Sequence, residues 1–316
     1  MSSLVFAYQL VGCRCLEALI EMGEKVVAVV THHDDPSEAQ WFPSVAELAR
    51  KNHIPVYTPD NANDPSFVSM FAALEPDFLF SFYYRKILKP DILKIPKRGA
   101  FNMHGSLLPK YRGRACIDWA ILMGETKTGV TLHVMEEKAD TGDIAGQKAV
   151  AIEFTDTALA VTKKIGGAAH ALMKEVFPAL KAENIKLVPQ NHAEATVFGK
   201  RTPEDGRISW ESRAMTIYNL MRAVTHPFPG AFTTLNGKKL FVWRGRPRED
   251  ERVSGSPGQV VSLDGKKGLC LATGKGAFYV ESLQLENENE MNAEDFCRAH
   301  PEFVGARLGG QKGEKS

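Results

Sequence analysis

Two polar side chains stand two residues apart at the end of a short apolar run in the chain. They are Asn102 and His104, on either side of Met103, and residues two apart on a strand face the same side of a sheet. An amide can donate a hydrogen bond to a developing oxyanion, and one such donor lowers a barrier by roughly 3–4 kcal/mol. An imidazole can take a proton from a nucleophile and pass it on. The pair therefore indicates acyl-type transfer, although a histidine beside an asparagine more often only satisfies local hydrogen bonds.

The usual third member of such a group is a carboxylate, which orients the imidazole and favours its charged form. Asp140 is the candidate because it follows a predicted strand over residues 129–135. The alternative is that Asp140 is only a turn residue before Gly142. Ser106 lies near His104, but no G-x-S-x-G elbow surrounds it. Since the chain offers no convincing nucleophile, a bound amine or water must attack.

A cluster of cations follows the Asn–His pair, with Lys110, Arg112 and Arg114 within five residues. Such a cluster suits a pyrophosphate or a carboxylate, and a solvated loop explains it equally well. The first strand-to-helix turn lacks G-x-G-x-x-G, and no G-x-x-x-x-G-K-[ST] occurs anywhere. NAD and ATP sites of the common types are therefore disfavoured.

The first half of the chain must supply the elements that position these residues. It alternates short apolar runs with helical patterns, and the predicted strands are 4–8, 25–31, 55–57, 78–82, 99–103, 129–135 and 144–152. The predicted helices are 15–22, 44–52, 66–74, 115–123 and 157–183. This alternation predicts an α/β domain with a Rossmann-like parallel sheet and helices on both faces. The ligand crevice of such a sheet lies at the carboxyl ends of its strands, where Asn102 and His104 stand.

The pattern changes after about residue 208. A helix at 215–224 is followed by short strands separated by Gly, Asn and Asp turns, predicted at 231–235, 240–246, 259–263, 268–272 and 277–285. Several short strands with hairpin turns predict a small β-barrel. The predicted organisation is a catalytic domain at 1–189, a linker at 190–208, a barrel at 209–308 and a disordered tail at 309–316.

Composition excludes several classes of protein. The 316 residues carry a formal charge of +1, which gives no general attraction to nucleic acid or to an anionic membrane. No leader peptide or membrane-spanning run is apparent. The number of cysteines is odd, and their spacings match no zinc-binding pattern. The Cys13–Cys15 pair is read as reduced thiols, His32–His33 as a solvated loop, and His133 as a strand filler. We expect a cytoplasmic protein without a metal.

These residues together resemble the folate-dependent formyltransferase family. The resemblance covers residues 4–285 and is carried by Asn102, His104, the Ser106–Pro109 run, Arg112–Gly113 and Asp140–Asp143. It implies a Rossmann-like catalytic domain followed by an OB-like barrel. It also implies that His104 transfers protons, that Asn102 stabilises the transition state and that Asp140 raises the pKa of the histidine.

Within the family, the chain is most similar to members that formylate UDP-4-amino-4-deoxy-L-arabinose during lipid A modification and polymyxin resistance. The matching segments are 5–8, 31–32, 81–85, 104–114, 201–203 and 221–224. The resemblance implies that 10-formyltetrahydrofolate binds along Lys86, Ile87, Leu88, Arg114, Glu136, Glu137, Lys138, Ala139 and Asp140. It implies sugar-nucleotide contacts at Tyr111, Arg112 and Arg201.

Three other functions and one question of domain content stay open. Such members often carry a dehydrogenase domain, and because this chain stops at Ser316 a dehydrogenase would be a separate protein or a missing fused part. A methionyl-tRNA formyltransferase would need a basic loop after the second strand, but no Lys or Arg occurs between Lys25 and Arg50, and Asp34, Asp35 and Glu38 fall there. That subfamily also has His-Ala-Ser where this chain has His-Gly-Ser. A second alternative function is formylation of another nucleotide-linked amino sugar. A third is a non-catalytic ligand-binding module.

Overall fold

The computed structural model describes residues 1–33 and 41–309. The chain forms two compact units. The first comprises Met1–Ile117, Lys127–Ile152 and Ala160–Lys200, and the second comprises Asp118–Thr126, Glu153–Leu159 and Arg201–Ser316. The acidic loop expected around Asp34 to Glu38 lies outside the described residues, as does the expected tail beyond residue 309.

The first unit is built on a sheet and a separate short strand pair. Its strands are β1 (Ser2–Ala7), β2 (Lys25–Val30), β3 (Val56–Tyr57), β4 (Phe78–Phe82), β5 (Ala100–His104), β6 (Arg112–Gly113), β7 (Lys127–Val134), β8 (Ile144–Ala151) and β9 (Val197–Phe198). The seven-stranded sheet has the order β3–β2–β1–β4–β5–β7–β8. The neighbours from β3 to β5 pair in parallel, which confirms the predicted Rossmann-like core.

The sheet becomes mixed at its β7–β8 edge. β7 pairs antiparallel with β5, and β8 pairs antiparallel with β7. β8 runs antiparallel to β7 because the connection between Val134 and Ile144 is too short for a crossover. This tight connection carries Asp140.

Helices flank the sheet close to where the periodicity predicts them. They are α1 (Gln9–Glu21), α2 (Val45–Lys51), α3 (Pro65–Ala73), α4 (Pro90–Leu93) and α6 (Ala158–Lys181, from Ala160 on). A further helix, α5 (Cys116–Leu122), belongs to the second unit from Asp118 on. Ser44 caps α2 by accepting a hydrogen bond from the Glu47 N–H at 3.4 Å. Strand β4 and the segment Leu4–Ala7 of β1 are mainly apolar, and Phe6, Phe80 and Phe82 are fully buried, as expected for central strands covered on both faces.

The second unit is an antiparallel sheet with two further helices. Its elements are α7 (Ala214–Val224), β10 (Ala231–Leu235), β11 (Lys238–Arg248), β12 (Val260–Asp264), β13 (Gly268–Ala272), β14 (Ala277–Leu285), β15 (Met291–Asn292) and α8 (Ala293–Ala299). The strand order is β10–β11–β14–β13–β12, with β15 on β14. The predicted series of short antiparallel strands is confirmed. Asn236 and Gly237 both have positive φ in the β10–β11 turn, as this tight hairpin requires.

The segment predicted as a linker differs in its first half. Residues up to Lys200 belong to the first unit, and β9 pairs in parallel with β6. The Arg112 and Arg114 N–H groups also donate to the Thr196 and Phe198 carbonyls, at 2.9 and 3.0 Å. The low periodicity of the segment therefore reflects a two-residue strand rather than a free connection.

No helix within residues 1–33 and 41–309 is long and apolar enough to cross a membrane.

Candidate active site

Asn102 and His104 lie at the carboxyl end of β5. The strand pairs with β4 on one side and with β7 on the other, where Asn102 stands opposite His133 and His104 opposite Thr131. Met103, between them, is 1% exposed. Pairing on both sides holds the strand, and hence the two polar side chains, in a fixed register.

His133 contacts Asn102 directly. The Asn102 Nδ2 and His133 Nε2 atoms are 3.1 Å apart, and His133 Nδ1 lies 2.8 Å from the Val134 carbonyl oxygen. A carbonyl only accepts, so Nδ1 carries the proton and Nε2 of the neutral ring accepts from the amide. This bond fixes the orientation of the Asn102 amide and leaves its second N–H for a ligand. The expectation that His133 only fills a strand is therefore wrong.

His104 has a hydrogen-bond acceptor at each ring nitrogen. Nε2 lies 2.8 Å from the Tyr111 carbonyl oxygen, and Nδ1 lies 3.5 Å from Asp140 Oδ1. Burial lowers the pKa of His104 below its ordinary value, while Asp140 and the Tyr111 carbonyl oppose that shift. The predicted effect of Asp140 on this pKa is thus present but smaller than the effect of burial. The two acceptors can still hold the imidazolium transiently.

Asp140 is the common partner of the two histidines. Its Oδ2 accepts from the Gly113 N–H at 2.8 Å, and its Oδ1 lies 3.6 Å from His133 Nε2. Burial alone would raise the pKa of Asp140, but the charge of His104 and the hydrogen bond from the Gly113 N–H outweigh burial and hold it below its usual range. The carboxyl group is therefore ionised at neutral pH. Its backbone has φ +58°, a conformation that surrounding contacts must maintain.

Gly113 explains part of the sequence signature. It has φ +95°, and a Cβ there would lie 2.2 Å from the Phe198 carbonyl oxygen. Only glycine can bring this backbone against β9 while its N–H donates to Asp140. The glycine of the Arg–Gly pair is therefore needed for the hydrogen bond that supports the Asp140 carboxylate.

Arg112 and Gln190 support the Asp140 turn from the other side. Gln190 Nε2 donates to the Asp140 and Gly142 carbonyl oxygens at 3.1 and 2.7 Å. Arg112 is 6% exposed and donates to Gln190 Oε1 at 2.6 Å, with His192 Nδ1 at 3.0 Å. The guanidinium thus holds the turn, and its contact with substrate stays a prediction. Gln190 lies in no sequence motif, so its support of the Asp140 turn is visible only in the structure.

The segment between His104 and Arg112 is anchored to β7. The Thr131 hydroxyl donates to the Ser106 carbonyl at 2.7 Å and accepts from the Leu108 N–H at 3.1 Å. The Ser106 hydroxyl is fully buried and donates to the Lys110 carbonyl at 2.7 Å. Ser106 is therefore a structural residue of the loop.

The residues expected to bind folate lie on two surface segments of the first unit. In one, Lys86 donates to the Asp60 carbonyl, Ile87 is 69% exposed and Leu88 is buried. In the other, the exposed residues are Glu136, Glu137, Lys138 and Ala139. The Arg114 side chain is also exposed. Their contacts with folate stay predictions.

The residues expected to bind the sugar nucleotide fall in different units. Tyr111 is buried in the first unit, and its ring stacks on Phe198 with a centroid distance of 5.1 Å. Arg201 belongs to the second unit, where its guanidinium lies 5.2 Å from the centre of the Trp119 ring.

The arrangement is suited to transfer of an acyl-type group. A fixed amide N–H can stabilise negative charge on an oxygen, and an imidazole beside an ionised carboxylate can accept and release a proton. Within the described ranges, no group of three His, Cys, Asp or Glu side chains is placed to hold a metal ion.

The chain belongs to the formyl transferase family. Residues 4–177 match the family described as formyl transferase, and residues 200–301 match the formyl transferase C-terminal domain. It is therefore an enzyme that transfers formyl groups.

Solved structures show the same fold at low sequence identity. HypX from Aquifex aeolicus is 20% identical with a TM-score of 0.65, and the match covers 100% of this chain but only 50% of HypX. An N-formyltransferase from Helicobacter canadensis, solved with folinic acid and dTDP-3-aminofucose, is 21% identical with a TM-score of 0.67, covering 91% of this chain and 99% of that one. WlaRD, a sugar 3N-formyl transferase solved with dTDP and 5-N-formyl-THF, is 19% identical with a TM-score of 0.67, covering 92% and 99%. The chain thus spans about half the length of HypX.

Proposed function

We propose that the chain transfers a formyl group from 10-formyltetrahydrofolate to the 4-amine of UDP-4-amino-4-deoxy-L-arabinose, a step in lipid A modification. The observation that carries this proposal is the convergence of Asn102, His104 and Asp140 beside the end of β5. The choice of sugar rests on the resemblance of residues 81–85, 104–114 and 201–203. Folate as donor is supported by the ligands of the two sugar-modifying structures.

In the proposed reaction, the three residues act on a single carbonyl group. The folate derivative supplies the formyl carbon, to which the neutral amine nitrogen bonds while the bond to the folate nitrogen breaks. The free N–H of Asn102 donates to the formyl oxygen, where negative charge develops. His104 takes the proton released by the amine and gives it to the departing nitrogen. Asp140 stabilises His104 while it carries that proton.

The proposed contacts are those that the family resemblance implies. Lys86, Ile87 and Leu88, with Arg114, would contact the folate on one side, and the segment from Glu136 to Asp140 on the other. Tyr111, Arg112 and Arg201 would contact the sugar nucleotide. No metal ion is needed, because Asn102 and His104 supply the charge stabilisation and the proton transfer.

A dTDP-linked amino sugar is the second candidate acceptor, favoured by the ligands of the two neighbouring structures. An acceptor screen separates the two. The purified chain is given 10-formyltetrahydrofolate with UDP-4-amino-4-deoxy-L-arabinose, dTDP-3-aminofucose or methionyl-tRNA, and formylated product is measured by mass spectrometry.

We expect the UDP sugar to give a kcat/KM at least about tenfold higher than the dTDP sugar. The His104→Ala variant is the control for uncatalysed transfer. Preference for the dTDP sugar would replace the proposed substrate, formylation of tRNA alone would overturn the sugar class, and binding without transfer would indicate a ligand-binding module.

A further inference from the structure

The second unit contains a small cavity next to Arg201. Its volume is about 140 Å³, and its lining includes Asp118, Arg201, Ala223, Val224 and Phe228. Sites that enclose a whole small molecule usually measure roughly 300–1,000 Å³. This cavity therefore accommodates one part of a ligand, about the size of a single ring.

The carboxyl group of Asp118 accepts no hydrogen bond from the described chain. Within residues 1–33 and 41–309, no group donates a hydrogen bond to it and no cation lies within 4 Å. Burial raises the pKa of Asp118 to about 6, against the opposing charge of Arg201. A partly buried acceptor at the wall of a cavity, with its hydrogen-bonding capacity unused, is a feature of binding sites.

Arg201 supplies the complementary group. Its guanidinium is held over the Trp119 ring at 5.2 Å and donates one hydrogen bond, to the Asp205 carbonyl at 2.9 Å. A guanidinium has several further N–H donors in a fixed plane. The cavity thus presents a strong acceptor and a strong donor, with Ala223, Val224 and Phe228 as apolar wall.

We propose that this cavity binds a pyrimidine-2,4-dione, the flat base of a uracil or thymine nucleotide. The ring N–H between the two carbonyl groups would donate to Asp118, and an adjacent carbonyl oxygen would accept from Arg201. The apolar wall would contact the ring face. A phosphate group fits less well because the Asp118 carboxylate would repel it. The choice of this base rests on the proposed function, whose acceptor is a uracil nucleotide.

The test is equilibrium binding of nucleoside monophosphates to the full chain by calorimetry, without folate. We expect UMP and TMP to bind, and CMP to bind at least about tenfold more weakly because its ring nitrogen accepts rather than donates. UMP methylated at the N3 position of the base should also bind at least about tenfold more weakly than UMP. This comparison needs no protein variant, so it does not depend on the folding of a mutant.

Two variants locate the site. Asp118→Asn should reduce the preference for UMP over CMP, because the amide can donate to the cytosine ring nitrogen. Arg201→Gln should lower the affinity for UMP at least about tenfold. Glu211→Gln, which removes an exposed carboxyl of the same unit outside the cavity, should leave binding unchanged. Thermal melting of each variant checks that it is folded.

The proposal is overturned if UMP does not bind, if CMP, AMP or GMP bind as tightly as UMP, or if both cavity variants bind UMP normally. These results are separable from failure of the proposed function. If an amino sugar is formylated but the cavity variants bind UMP normally, this site is wrong and the function stands. If UMP binds as described but no amino sugar is formylated, the site stands and the function fails.

Discussion

The position of the proton on the His133 ring fixes the orientation of the Asn102 amide. Because Nδ1 donates to the Val134 carbonyl, Nε2 is an acceptor, and it must receive its hydrogen bond from the Asn102 amide. A reversed amide would place its oxygen against a ring nitrogen that has no proton. In the proposed reaction, His133 is therefore a positioning residue that aims the amide N–H toward the formyl group.

Replacing His133 should reduce turnover without removing the chemistry. In His133→Gln, we expect kcat to fall roughly tenfold, since misorienting one hydrogen bond costs about 1–1.5 kcal/mol, with KM for the acceptor nearly unchanged. His104→Ala should lose at least about a hundredfold, because general acid–base catalysis is removed. Steady-state kinetics of both variants make the comparison, with His170→Gln as the control on the surface. A His133→Gln enzyme with wild-type kcat would show that the amide needs no such support.

The placement of Asn102, His104 and Asp140 could be predicted from sequence, and their catalytic roles stay a proposal. Asn102 and His104 are two apart on a strand, and Asp140 lies in a turn with a recognisable pattern. His133 and Gln190 could not be predicted, because their roles come from strand register and from the fold of a remote segment. Nothing local distinguishes a histidine that faces an active site from one that fills a strand.

At the scale of elements, the end of β4 and the loop after β5 fit together through Tyr83 and Gly105. Tyr83 has φ +59°, directly after the last residue of β4. A Cβ on residue 105 would lie 1.8 Å from the Tyr83 hydroxyl oxygen, 3.0 Å from its Cζ and 3.1 Å from Cys116 Sγ. The phenol therefore occupies the space that any side chain at position 105 would need, and this position directly follows His104.

Gly105→Ala should displace either the Tyr83 ring or the backbone that carries His104. We expect turnover to fall about tenfold or more, and the melting temperature to fall as well. The same change in a Tyr83→Phe background should cost less, because the nearest atom is then 3.0 Å away instead of 1.8 Å. A coupling of about 0.5–3 kcal/mol is usual for residues in contact.

The control for this cycle is Gly167→Ala. Position 167 lies within α6, and an added Cβ meets nothing within 4 Å. Alanine there should be neutral or stabilise by up to about 1 kcal/mol. Additive effects of Gly105→Ala and Tyr83→Phe would contradict the steric pairing.

Among the elements, the longer strands can be predicted from the sequence and the two-residue strands cannot. Strands β4, β10, β13 and β14 have the bounds that their apolar runs predict. The two-residue strands β6 and β9 leave no periodic signal, since alternation needs more residues than they contain. Their pairing is nevertheless what brings Gly113 to Asp140.

At the scale of the whole molecule, His32 makes the stability of the first unit depend on pH. It lies just after β2 and contacts residues just after β4. Its ring stacks on Tyr84 at 4.3 Å, and its Nε2 accepts from the Arg85 N–H at 3.1 Å. Protonation of Nε2 would break that bond. Burial, together with the charges of Lys86 and Arg85, lowers the pKa of His32 from 6.5 to about 4.

The first unit should therefore lose stability as the pH falls below 6.5. The unfolded chain protonates His32 near pH 6.5 and the folded chain only near pH 4, so between these values the unfolded state binds more protons. After allowance for the partial exposure of the ring, we expect about 1 kcal/mol of unfolding free energy to be lost through His32 between pH 7 and pH 5. Urea unfolding at both pH values measures the loss, which should be smaller by that amount in His32→Gln. The exposed His53→Gln variant should match the wild type, and equal losses in all three proteins would mean that His32 does not titrate with unfolding.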